Sequence, residues 1–141
     1  MAMEYSGKTL SVNVLASGAA KLTFDLSDSS VNKFNKETLE ELRDAIAVLT
    51  EANITGLIFS SAKSAFIVGA DITEFTGMFA SSESEITEWL AEGNQIFNDI
   101  EDLPYPTVTA INGVALGGGF EMALATDFRV GAPHCIVGFP E

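Results

Sequence analysis

The stretch Gly113-Val114-Ala115-Leu116-Gly117-Gly118-Gly119-Phe120-Glu121 sets three consecutive glycines between an apolar, strand-like segment and a helical one. Glycine lets the backbone approach a ligand closely and adopt conformations closed to residues with a Cβ. A helix that starts there aims unpaired amide N–H groups, and the positive end of its dipole, at whatever lies in front. Glu121 in that first turn reaches the same space. Amide donors beside an acid or base are the equipment for stabilising an oxyanion while a proton moves. The stretch is not a P-loop, because no Gly-Lys-Ser/Thr follows, and its glycine spacing does not fit G-x-G-x-x-G.

Outward from this loop, hydrophobic period assigns the flanking elements. Leu10, Val12 and Val14 alternate, as do Leu22, Phe24 and Leu26 after a Ser17-Gly18 turn, so the first 26 residues predict a β-hairpin with one buried face. Asn35 is the expected N-cap of a helix whose stripe is Leu39, Leu42, Ile46 and Leu49, ended by Asn53. Ile54 to Phe59 reads as a buried strand. Ser82-x-x-Glu85 forms a capping box opening a helix with Ile86, Trp89, Leu90, Ile96, Phe97 and Ile100 on one side. Amphipathic spacing places Trp89 and Phe97 in the core. Leu103-Pro104-Tyr105-Pro106 stops that helix. A strand at Thr107–Ile111, the glycine loop, a short helix from Glu121 to Ala125 and a strand at Phe128–Val130 complete the pattern. The order β-β-α-β-α-β-α-β, without an obvious repeat, defines an α/β domain with its loops along one sheet edge.

Two further stretches carry candidate chemistry. Phe66-Ile67-Val68-Gly69-Ala70-Asp71-Ile72 again offers free amides at a loop-to-helix junction, although a plain turn has the same composition. In Val137-Gly138-Phe139-Pro140-Glu141 a carboxylate follows an apolar run and a proline, surroundings that raise a glutamate pKa into the acid–base range. As a chain terminus it is equally able to fray.

The 141 residues, 47% of them apolar, suffice for one folded domain. A net charge of −13 with scattered basic residues excludes nucleic acid as a partner and requires any phosphate-bearing ligand to be held locally. Apolar runs are too short to span a bilayer and no secretory signal opens the chain, so the cytoplasm is the expected compartment. Cys135 stands alone, which removes any internal disulfide and reads as a small core residue; His134, the single histidine, reads as a loop residue and rules out a multi-histidine metal site.

Val31-Asn32-Lys33, Phe66–Ile72, Gly113–Glu121, Ala125-Thr126-Asp127 and Gly138–Glu141 occur in the order that resembles the enoyl-CoA hydratase/isomerase (crotonase) superfamily. Within it the phrases around Ala65–Phe75 and Glu101–Glu121 are most similar to the N-terminal domains of multifunctional bacterial fatty-acid β-oxidation enzymes. The resemblance implies a crotonase-like ββα superhelix of which residues 1–141 are the N-terminal portion, with the rest of the domain and a dehydrogenase region, the part that would use NAD, outside this chain. It implies an oxyanion hole from the amides of Ala70 and Gly118, next to Gly117, and an acid–base pair in Glu121 and Glu141. In hydration Glu121 would activate water for C3 while Glu141 protonates C2; in isomerisation Glu141 alone would shuttle the proton. Val31, Lys33, Ala70, Asp71 and Ile72 would line the CoA portion, with Lys33 and Lys63 as phosphate contacts or simply solvated lysines. The substrate would be a CoA thioester, no metal or resident cofactor would be needed, and the partners would be further copies of the chain and a thiolase subunit. The fragment is expected to have little or no hydratase activity. Decarboxylation, thioester hydrolysis and dehalogenation of acyl-CoA on the same fold, or CoA binding without turnover, stand as alternatives; glutamates at both 121 and 141 favour hydration.

Overall fold

Leu10 and Val12, alternating inward, pair antiparallel with Leu22 and Phe24 across the Ser17-Gly18 turn, in the register Leu10↔Phe24 and Val12↔Leu22. This hairpin is β2 (Leu10–Val14) and β3 (Ala20–Phe24) of a computed structural model that describes residues 4–140. A short strand not foreseen from the sequence, β1 (Glu4–Ser6), adds antiparallel to its outer edge. From β3 onward the sheet is parallel: β4 (Leu57–Ser61), β5 (Thr107–Ile111) and β7 (Phe128–Gly131) complete the order β1-β2-β3-β4-β5-β7. β4 starts three residues later than its apolar run suggests. Thr55 is spent on the turn, donating its amide to the Gly18 carbonyl, and pairing begins with Ala20↔Leu57.

Helix α1 (Lys36–Thr50) is capped as expected, the Asn35 side chain accepting from the Thr38 amide at 2.8 Å. Leu42, Ile46 and Leu49 on its inner stripe are buried, and each contributes about 1.5–3 kcal/mol as an upper estimate of burial. Helix α3 (Glu83–Glu101) carries the complete Ser82/Glu85 capping box. Before it lies α2 (Ile72–Met78), a short helix with no buried residue, which starts at the loop-to-helix junction expected of Phe66–Ile72 and has no apolar stripe of its own.

The glycine stretch itself is more ordered than a loop. Val114–Leu116 is a strand, β6, and it pairs in parallel with β8 (Ile136–Gly138), another strand too short to read from alternation. On the other side of β6, the Phe66 amide donates to Val114 and the Leu116 amide to Ile67; beyond that, Val68 donates to Asn32 and Phe34 to Gly69. Four extended segments, 32–34, 66–70, 114–116 and 136–138, therefore lie side by side as a second layer. Each follows a strand of the main sheet (β3, β4, β5, β7), and each of the first three leads into a helix. The chain thus repeats a ββα unit that is invisible as sequence repetition, as the superhelix reading requires. Phe24 joins the layers, packing edge-on against Phe34 (6.1 Å) and Phe66 (6.0 Å). Cys135 packs against the core, His134 lies exposed in a turn, and no helix among the described residues is long and apolar enough to cross a membrane.

Candidate active site

The second layer places loop-to-helix junctions side by side at its carboxyl edge. At the first, Phe34 brackets Ala70: its amide donates to the Gly69 carbonyl at 2.8 Å and its carbonyl accepts from the Asp71 amide at 3.2 Å. A residue bracketed in this way in a parallel pairing turns its own N–H to the opposite side. The Ala70 amide meets no acceptor among the described residues.

At the second junction, Gly117 adopts φ 51° and ψ −126°, a backbone shape closed to a side chain. Its amide donates to Gly138 at 3.0 Å, and its carbonyl accepts from both Phe120 and Glu121 at 2.9 Å. Helix α4 (Gly118–Ala125) therefore begins at Gly118, three residues before the helix start read from the sequence, and no side chain caps it. The Gly118 amide is left without an acceptor among the described residues. Gly119 lets α4 lie directly on the second layer, since a Cβ there would overlap the Ile67 carbonyl oxygen. The far end of α4 is fastened by the Arg129 guanidinium, which donates to the carbonyls of Ala123 (3.1 Å) and Thr126 (2.8 Å). Asp127 accepts from the Thr107 amide at 2.9 Å, tying that end to β5.

Ala70, Gly118 and Glu121 line one cavity of about 280 Å³, whose walls are otherwise almost wholly apolar: Phe34, Phe75, Trp89, Leu90 and Phe97 are among them. An amide facing such a space unpaired loses about 1–3 kcal/mol relative to a bonded one. Ala70 and Gly118 each bring such an amide to the lining of this cavity, and the positive end of α4 lies behind the second. Glu121 stands exposed in the first turn of α4, at the same cavity. Glu141, the second acid–base candidate, lies outside the described residues; the chain approaches it through Phe139, whose ring stacks on Phe120 at 5.0 Å.

Val31 and Lys33 precede Phe34 in the chain and Ile72 is exposed at the start of α2; none of these three, nor Asp71 or Gly117, lines the cavity. The Asp71 carboxylate caps α2, accepting from the Thr73 amide (3.0 Å) and hydroxyl (2.7 Å), and faces the Lys33 ammonium at 2.9 Å. The Thr73 hydroxyl first, and Lys33 with it, pull its carboxyl down to about 2. Lys63 is likewise engaged, with Asp25 at 3.1 Å and the Ser29 carbonyl at 2.7 Å, so neither lysine is a merely solvated side chain.

One expectation is corrected. Trp89 is not a core residue; it is half-buried, lines the cavity and meets Phe75 edge-on at 6.0 Å. Only Ile96 and Ile100 of α3 are buried, because the first half of the helix has α2 and the cavity beneath it rather than the sheet. Phe97 sits at the boundary, packed on the core and on the cavity at once. The apolar walls Phe34, Phe75 and Leu90 escaped sequence reasoning, since an apolar stripe carries the same signal whether it meets a core or a ligand.

Two stacked sheet layers wound as ββα units, with two amides lacking an acceptor among the described residues and a carboxylate at one apolar cavity, define the class of fold and site. Residues 16–141 match the family described as enoyl-CoA hydratase/isomerase, and the chain belongs to that family. It is 54% identical over 140 residues, 99% of its length, to the fatty acid oxidation complex subunit alpha of Pseudomonas syringae pv. tomato. The corresponding subunit of Pseudomonas entomophila is 52% identical over the same span. The chain covers only 19% and 20% of those relatives. Among solved structures, an enoyl-CoA hydratase from Bacillus anthracis superposes with a TM-score of 0.82 at 30% identity, covering 93% of this chain and 50% of that one.

Proposed function

We propose that the cavity binds an enoyl-CoA thioester and that its chemistry is addition of water across the 2,3 double bond. The observation that carries this reading is the pair of unsatisfied amides, Ala70 and Gly118, opening onto the same apolar space as Glu121. The thioester oxygen accepts both N–H groups. Nucleophilic attack at C3 drives electrons through C2 onto that oxygen, and the enolate charge grows where the donors already point. A single donor of this kind contributes about 2.7–4 kcal/mol to the transition state. Glu121 takes a proton from the water that attacks C3, and Glu141 gives a proton to C2. One water is added in sum, and proton exchange restores the two glutamates. Family membership and the similarity to fatty acid oxidation subunits support the substrate class.

The test is hydration of crotonyl-CoA, followed by loss of enoyl-thioester absorbance. It is run on this chain and on a version extended at its C-terminus to the length of the solved relatives. The extended chain is expected to turn over and the 141-residue chain to be slow or silent. Glu121→Gln in the active version is expected to lower the rate by about 10²–10⁴-fold. An unchanged rate would remove Glu121 from the acid–base role, and binding without turnover in both lengths would favour a CoA-binding module.

A further inference from the structure

One stripe of α3 runs at helical spacing through Trp89, Leu90, Gly93 and Phe97, which line the cavity, and Ile96 and Ile100, which are buried. Every member is large and apolar except Gly93. A glycine inside a helix weakens it relative to alanine, so a packing reason would be expected for its presence. None exists: a Cβ at 93 would meet no atom within 4 Å, in contrast to Gly119, which is hemmed in by Ile67. The absent side chain therefore holds space open.

That space joins two others. Gly93 lines the 280 Å³ cavity and also a recess of about 50 Å³ between α1 and α3. Leu39 and Trp89 border both, so the cavity and the recess adjoin at the bare backbone of 93. Leu39, Trp89 and Ile96 give the recess apolar lining, and the charged Lys36, Glu40, Arg43 and Glu92 line it too. The apolar lining, continuous with that of the cavity through Leu39 and Trp89, suits the end of an alkyl chain.

We propose that Gly93 is the chain-length gauge of this site. The tail of a thioester held at Ala70 and Gly118 runs past Trp89, over Gly93 and toward the recess, so acyl chains longer than the four-carbon crotonyl group are favoured. This rests on the reading of the cavity as an acyl-CoA site. A side chain at 93 closes the passage and shortens the longest tail accepted.

Trp89 is the single tryptophan and lies in the wall, so its emission reports occupancy. Butanoyl-, octanoyl- and dodecanoyl-CoA, saturated and unreactive, are titrated into the whole chain and into Gly93→Ala and Gly93→Leu. In the native chain affinity is expected to rise at least tenfold from butanoyl to dodecanoyl, because each buried methylene adds to binding. In Gly93→Leu the rise is expected to stop by octanoyl, and dodecanoyl-CoA to lose tenfold or more against the native chain. Gly93→Ala, whose Cβ meets nothing, keeps the fold and falls between. A Leu variant that keeps the full slope, or a native chain with no slope, overturns the gauge while the acyl-CoA site stands. Trp89 emission indifferent to all three thioesters, in a chain that still melts cooperatively, overturns the site and the gauge together.

Discussion

Asp71 accepts from the Thr73 amide and hydroxyl and meets Lys33 at 2.9 Å, and its carboxyl is drawn to about 2. The residue it follows supplies one of the two free amides, so the same carboxylate that starts α2 also fixes the turn that presents Ala70. In the unfolded chain an aspartate takes its proton near pH 4; here the folded chain takes it only near pH 2. The unfolded state therefore binds the proton first as pH falls. The stability this group contributes is complete above about pH 4 and drains away between 4 and 2. Asp71→Asn keeps a capping side chain but removes the charge, and is expected to flatten the dependence of the urea midpoint on pH within that window. Equal slopes for variant and native chain would show that the Thr73 hydrogen bonds and the Lys33 pair do not together hold this carboxyl down in solution.

A buried side chain adds to the short backbone pairings of the second layer, tying segment 32–34 to Phe66 and to the main sheet. Asn32, 1% exposed, accepts from the Leu26 amide at 2.9 Å and donates to the carbonyls of Phe24 and Phe66 and to the Ser61 hydroxyl. Asn32→Ala leaves the Leu26 N–H and the Phe66 carbonyl without these partners. It is expected to cost about 2 kcal/mol or more, a fall in melting temperature on the order of 8 °C for a domain this size. A loss under a quarter of that would mean water takes over the bonds. This dependence on single residues explains what was legible in the sequence. The β2–β3 hairpin and α1 announced themselves through periodicity over five residues or more, the start of α3 through its Ser82/Glu85 spacing, and β5 through the apolar run after Pro106. β6, β8 and the 66–70 segment are too short to show a period, and their partners lie tens of residues away. Ala70 and Gly118 were named by the family resemblance that ordered motifs around glycines carry, and Glu121 by its place after the glycine run. Trp89 and Phe75 were not placed at the site, since bulk and apolarity serve a cavity wall and a core alike.

At the scale of the whole molecule, the main sheet ends at β7 among the described residues, with all four residues of that strand exposed and Phe128 and Val130 each 64% open to solvent. Leu124, Ile136 and Phe139 add further exposed apolar surface on the segments flanking β7 in the chain. An unpaired strand edge with its ladder groups free, beside apolar side chains, is a surface that seeks a partner. Against this stands a net charge of −13, which makes any two copies repel. The balance is set by salt: repulsion spread over the surface is screened within about 8–10 Å at 0.1–0.15 M, while apolar burial is not weakened. Self-association is therefore expected to rise with protein concentration and with sodium chloride, and sedimentation across both series measures it. Phe128→Lys with Val130→Lys places two cations on the edge, removing apolar area there, and is expected to return the chain to monomer at concentrations where the native chain associates. Association that weakens as salt is added would mean that charged groups, not this edge, hold the copies together. A native chain that stays monomeric at high concentration and high salt would mean that repulsion outweighs the open edge.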